Sequence, residues 1–153
     1  MREYIIQICC ALVGSFGFSV VFRLKRDKIV LASLGGGLTW LLYLVLFAKV
    51  KNEFMAYFWS TVFATFYAEA MARIYKAPVT IFVIPAIVPL IPGGCLYYTM
   101  EYLLQSDTSL FREKAAETAM LALAIAMGIT IVIMLMDLYT LIAGKIKKTL
   151  RNS

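Results

Sequence analysis

Tyr57, Thr61, Thr65, Glu69 and Arg73 recur at every fourth position of an otherwise apolar stretch. On a helix that spacing lines them along one face. A carboxylate facing lipid is costly, so Glu69 is expected to face protein or water. Two readings of it stand. It lines a substrate or proton path, or it pairs with Arg73, at the favourable i+4 spacing, to anchor that end of the helix. Asp137 is a second acid in an apolar run, beside Tyr139 and Thr140. It too has two readings, a functional intramembrane acid or a side chain that snorkels to the interface or caps a neighbouring helix.

The segment Ile84-Pro85-Ala86-Ile87-Val88-Pro89-Leu90-Ile91-Pro92-Gly93-Gly94 carries a different chemistry. Each proline removes a backbone donor and crowds the preceding turn. Pro85, Pro89 and Pro92 followed by two glycines predict a broken helix. Irregular backbone at membrane depth survives only against protein or a wet cavity, where it often marks a transport site. A second half-helix starting near Gly93 would offer free N–H groups to a carboxylate, with Tyr97 and Thr99 supplying hydroxyls. The alternative is a kink required only by packing.

Other chemistries are poorly supplied. The chain contains no histidine, which excludes imidazole metal sites and histidine-based catalysis. Cys9, Cys10 and Cys95 have no CxxC spacing and lie in apolar runs, as small filler does. No Walker loop, GxSxG motif or metal-ligand spacing occurs. The sequence therefore predicts neither an enzyme nor a cofactor or metal centre.

The elements that position these residues follow from composition. Of 153 residues, 62% are hydrophobic and 16% charged, far from the balance of a soluble domain. The net charge of +6 comes from basic clusters between apolar runs, which read as topology signals and not as a nucleic-acid surface. Five runs are long enough to cross a bilayer: about 4–22, 29–48, 54–72, 79–104 and 117–143. The expected fold is all-α, one transmembrane domain over 1–153, a polytopic bundle whose fourth helix is discontinuous. Gly35, Gly36 and Gly37 are expected to interrupt the second helix, and 105–116 to form a polar loop. Ser60, Ala64, Ala68 and Ala72 form a small-residue ridge on the third helix, suited to close helix packing. Met120, Met127 and Met134 read as packing on the fifth. With five crossings, ten basic residues (Arg23, Lys25, Arg26, Lys28, Arg73, Lys76, Lys145, Lys147, Lys148, Arg151) fall on one side and five on the other. That predicts an external N-terminus and a cytoplasmic C-terminus.

One stretch has a familiar pattern. Tyr67-Ala68-Glu69 with Ala72-Arg73, then Lys76-Ala77-Pro78 and Thr80, leads into Ile84-Pro85 and Val88-Pro89-Leu90-Ile91-Pro92-Gly93, with Tyr97 and Met100 beyond. This resembles the threonine/serine exporter family, and more narrowly the short subunit of its split, two-component form. The resemblance implies an inner- or plasma-membrane protein that exports small hydrophilic metabolites. Threonine and serine are the named substrates, and dicarboxylates such as succinate are associated with some split members. It also implies export driven by the membrane potential or proton gradient, with a larger membrane subunit as partner.

Five helices are few for a complete alternating-access transporter, so the chain is expected to be completed by that subunit or by self-association. The expected site joins Gly93 and Gly94, holding a carboxylate, to Glu69 or Asp137 as counter-charge, with Arg73, Tyr97 and Thr99 nearby. The rival expectation is a non-transporting assembly subunit, and a third is a self-assembled channel.

Overall fold

The computed structural model describes residues 2–151, with side chains described for 2–142 and for Lys145. Met1, Asn152 and Ser153 lie outside the described residues, as do the side chains of Lys147, Lys148 and Arg151 used above for orientation. The described chain is all-helical: α1 Arg2–Val21, α2 Arg26–Val50, α3 Glu53–Ile74, α4 Thr80–Ile87, a 3-10 turn Val88–Leu90, α5 Gly93–Leu104 and α6 Thr108–Arg151.

By length and composition α1, α2 and α6 can each cross a bilayer alone. α4 with its 3-10 turn and α5, bent by 57° at the break, reach that length only together, as a broken span or a re-entrant loop. The remaining run expected to cross, the third, is α3. Its 22 residues reach about 33 Å, but its polar row keeps it from qualifying by composition. That row is covered by protein, so α3 is the core helix of the bundle.

Two local expectations are corrected. The stretch 105–116 is not a loop, because α6 begins at Thr108. Asp107 caps it: Oδ1 accepts the Ser109 and Leu110 N–H groups, each at 3.2 Å, and the Ser109 hydroxyl at 2.7 Å. A capped start satisfies orphan donors and lets the helix absorb Arg112, Glu113 and Lys114. Nor do the three glycines interrupt α2, which is continuous through them. Each makes room for a neighbour. A Cβ at Gly35 would lie 2.7 Å from the Tyr67 ring on α3, one at Gly37 would overlap Leu12 on α1, and one at Gly36 would overlap Ser15 while sitting 3.0 Å from the Pro85 carbonyl. The Tyr67 hydroxyl then donates to the Leu31 carbonyl at 2.8 Å.

These approaches make α2 the hub against α1, α3 and α4. Ala68 and Ala72 of the small-residue ridge are buried with Ala32 of α2 and with Phe82 and Val83 of α4. A second core joins Tyr43, Ala56, Tyr57, Leu90, Leu121 and Ala124. The methionine row is not buried: Met120, Met127 and Met134 are exposed on α6. The side buried against the bundle is Leu121, Ala124, Gly128 and Val132. The turns use left-handed residues that are not glycine, Arg23, Lys51, Lys76 and Ser106, each just past a helix end.

Gly36→Ala is expected to lower the melting temperature in detergent, because overpacking typically costs about 1–3 kcal/mol. Ser15→Gly in the same chain should recover part of the loss, and no recovery would count against the α1–α2 contact described. Hydrogen bonds from Ser109 and Leu110 hold the Asp107 carboxyl below its ordinary pKa. The cap therefore stabilises at neutral pH and is lost as pH falls through the lowered pKa. Hydrogen exchange should show the 109–111 amides losing protection in acid, and losing it at neutral pH in Asp107→Ala.

Candidate functional site

The proline-rich segment divides its tasks. Pro85 is accommodated inside α4 and buried, so it does not break the helix. Pro89 sits within the 3-10 turn and Pro92 at the N-cap of α5. The helix is interrupted at Ile91 and Pro92. Without an N–H on residue 89 or 92, the carbonyls of Pro85 and Val88 lose their usual i+4 donors. The Val88 carbonyl accepts from Ile91 instead, at 3.2 Å, and the Gly93 N–H donates to Ile91 at 2.7 Å.

Beside this turn, between α1 and α2, lies a cleft of about 320 Å³ lined by Gln7, Cys10, Ala11, Gly14, Trp40, Val88 and Pro89. That volume suits a small-molecule site. Its lining is mostly apolar, with the Gln7 amide as a polar group. The indole N–H of Trp40 is buried with no partner among the described residues. Sequence reading missed Gln7 and Trp40. Gln7 was visible as the one side-chain amide in the first apolar run, but nothing local showed that it would meet the proline segment.

The polar row of α3 is buried from Tyr57 to Glu69. Its hydroxyls are largely spent on the helix itself: Thr61 donates to the Tyr57 carbonyl at 2.8 Å and Thr65 to the Thr61 carbonyl at 2.9 Å. The buried Glu69 carboxylate pairs with Arg73 at 3.4 Å. Arg73 is half-exposed, and its Nη2 donates to the Thr140 hydroxyl of α6 at 3.2 Å. Asp137 stands exposed on α6, one turn before Thr140.

Three contacts set α3 and α6 parallel. Tyr57 shares a core with Leu121 and Ala124. A Cβ on Gly128 would lie 2.9 Å from Thr61. Arg73 reaches Thr140. Gly128 carries the close approach, and sequence reading missed it because it is a lone glycine in a long apolar run.

This register separates the expected site residues. Cys95, next to Gly93 and Gly94, packs on the core around Tyr57. Glu69 lies twelve residues further along α3, about 18 Å away along the axis. The structure therefore places Gly93, Gly94, Tyr97 and Thr99 towards one end of the bundle and Glu69, Arg73 and Asp137 towards the other. A small zwitterion cannot touch both sets in this arrangement. Within the first set, Gly93 and Gly94 are exposed with open space beside them. Tyr97 is exposed, whereas Thr99 is buried against α6, donating to the Cys95 carbonyl at 2.7 Å and meeting the Thr118 hydroxyl at 3.2 Å. A further polar cluster stands beside them: Glu117 bonds Lys114 at 2.7 Å and meets the Cys95 thiol at 3.6 Å.

The family model described as threonine/serine exporter, ThrE, matches residues 7–135. The match spans the cleft, the proline break and Glu69-Arg73. The chain belongs to the threonine/serine exporter family, a family of membrane exporters and not an enzyme class. No curated protein and no solved structure matches the chain.

The register is testable by thiol cross-linking. With Cys9 and Cys10 replaced, an Arg73→Cys, Thr140→Cys pair should be joined by a bifunctional thiol reagent about as long as the arginine side chain it replaces, while Arg73→Cys alone should not couple to native Cys95. Cross-linking of residue 73 to Cys95 within one chain would show that the two polar sets meet.

Proposed function

We propose that this exporter-family chain is one membrane subunit of a secondary exporter of small hydrophilic metabolites, with threonine and serine as substrates and a larger membrane subunit, or a second copy, completing the path. The observation that carries the reading is the cleft beside the interrupted helix at Val88–Pro92. Unwound backbone lining a cavity offers acceptors that a regular helix keeps for itself. The substrate ammonium is accepted by backbone carbonyls of the Val88–Leu90 turn, which borders the cleft. The Gln7 amide and Trp40 indole N–H donate to the carboxylate or side-chain hydroxyl, and the apolar walls exclude water around these few polar contacts. Pro89 and Pro92 keep the segment from rewinding into a helix that would withdraw those groups.

Glu69 and Arg73 act elsewhere in this proposal. With the N-terminus outside and the C-terminus cytoplasmic, they stand near the cytoplasmic end, where the pair and Thr140 tie α3 to α6. Breaking and remaking that tie is a route for a proton on Glu69, or for the membrane field, to bias the bundle. Asp137, on the same end, adds a second acid there. A dicarboxylate would use the same cleft but would need cations from the partner, because none of the described residues that line it is cationic.

One observation favours a second reading, the non-transporting assembly subunit. Glu69 is buried and paired, and it lies far along α3 from the Tyr97 region. Export of labelled threonine or serine, measured with the co-purified partner present, decides between them. Gln7→Leu and Trp40→Phe are expected to reduce export at least tenfold, equivalent to about 1.4 kcal/mol, while leaving membrane yield and melting temperature near the parent's. Full export by both variants would remove the cleft from the path and leave the assembly reading.

A further inference from the structure

Buried hydroxyls in this bundle share one habit. Ser19, Ser33, Thr39, Thr61, Thr65 and Thr99 each donate to the carbonyl four residues earlier on their own helix, at 2.7 to 2.9 Å. Ser15 and Ser60 have no partner among the described residues. Ser60 stands on α3, which lends no residue to the lining of the cleft, whereas Ser15 stands on α1 beside Ala11 and Gly14, which line it. Ser15 has no exposed surface, and its Oγ is turned to α2, against the point where a Gly36 side chain would begin. An unpaired buried hydroxyl is destabilising. Alanine would fill the same contact without that penalty and with a better helix propensity. Packing therefore does not account for a serine here.

A second group without its usual donor faces the same point. The Pro85 carbonyl oxygen of α4 lies 3.0 Å from it. Pro89 has no N–H to offer that carbonyl, and the Val88 N–H donates to the Ile84 carbonyl. Ser15, Gly36 and Pro85 are each one helical turn from a residue that lines the cleft, Ala11, Trp40 and Pro89. They make its closed end. A helical side chain leans towards the N-terminus of its helix, which carries the Ser15 hydroxyl towards Ala11. A helical carbonyl points towards the C-terminus, which aims the Pro85 oxygen towards Pro89. Both directions lead into the cleft.

The pair matches one kind of group. A hydroxyl accepts from the Ser15 O–H and donates to the Pro85 carbonyl. A methyl group answers neither. A charged group would leave water for two neutral contacts. One turn of helix, about 5.4 Å, parts this pair from the Val88–Leu90 carbonyls proposed for the ammonium. An amino acid the size of serine or threonine bridges that span with a hydrogen bond at each end. α1 is the wall that can move. Ala11, Ser15 and Ser19 are its buried residues, and neither core cluster draws a residue from it.

We propose that Ser15 and the Pro85 carbonyl are a hydroxyl-selecting subsite, reached when α1 parts from Gly36 at the closed end of the cleft. The substrate's side-chain hydroxyl accepts from Ser15 and donates to Pro85, and Gln7 and Trp40 remain for its carboxylate. The inference rests on the proposed role of the cleft. It adds the residues that separate serine and threonine from amino acids of like size without the hydroxyl. Buried polar groups that the wrong ligand leaves unpaired reject it far more strongly than a missing methylene does.

The test is efflux from proteoliposomes holding the full chain with its co-purified partner. Threonine is compared with 2-aminobutyrate, which lacks only the hydroxyl, at equal subsaturating concentrations. The parent should favour threonine by at least about tenfold. Ser15→Ala should lower threonine efflux by about that factor and leave 2-aminobutyrate within about twofold, so that the preference disappears. Ser15→Gly, which also lacks the hydroxyl, should lose the preference too, and Ser15→Ala should melt in detergent at or above the parent's temperature. A parent that treats the two amino acids alike, or a variant that keeps the parent's preference, would overturn the subsite. An equal fall for both amino acids would mark Ser15 as structural and overturn it as well. Gln7→Leu and Trp40→Phe, measured alongside, separate this failure from that of the cleft. If they lose efflux while Ser15→Ala keeps the preference, the cleft stands and the subsite falls. If they keep full efflux, the cleft is off the path and the subsite falls with it.

Discussion

Hydrocarbon offers no hydrogen-bond partner, so a polar group carried into this bundle has to be satisfied by the chain itself or by a cavity. The arrangement follows from that constraint acting on α3. Its face from Tyr57 to Glu69 is too polar for lipid, so α2, α4 and α6 surround it. The hydroxyls turn back onto the helix's own carbonyls and Glu69 pairs with Arg73. A helix that looks like one crossing among five is the one around which α2, α4 and α6 assemble.

Close packing around that helix needs missing side chains. Gly35, Gly36 and Gly37 admit three different neighbours to α2, and Gly128 admits Thr61 and the Phe58 carbonyl to α6. Dispersion forces act only at contact distance, so these positions set how tightly the polar row is sealed. The buried Ser15 and Ser60 hydroxyls, which have no partner among the described residues, show that sealing takes precedence over complete hydrogen bonding at two places.

The polar features separate into two ends. The interrupted helix meets α1 and α2 in a cleft, while the acid–base tie of Glu69, Arg73 and Thr140 joins α3 to α6 elsewhere. In the proposed transport reading, substrate is recognised in one place and charge is sensed in another, with the length of α3 and α6 between them. Family membership supports the transport reading, and the separation of the two ends limits which residues one substrate can touch at once.

Sequence alone determined that the chain is helical and membrane-bound, that the helix breaks somewhere in the stretch from Pro85 to Gly94, and that Glu69 faces inward. Apolar run length, proline chemistry and the cost of a charge in lipid are local properties. The Tyr67–Gly93 pattern was enough to reach the family. Tertiary structure decided the rest, because it depends on register. The parallel offset of α3 and α6 parts Glu69 from Gly93, although 24 residues of sequence suggested one site. It also brings Gln7 and Trp40 to the proline turn from two other helices. Asp107 moves the start of α6 nine residues ahead of the apolar run, since a cap leaves no hydrophobic signal. Which face of a helix meets which neighbour is a property of pairs, and no single segment encodes it.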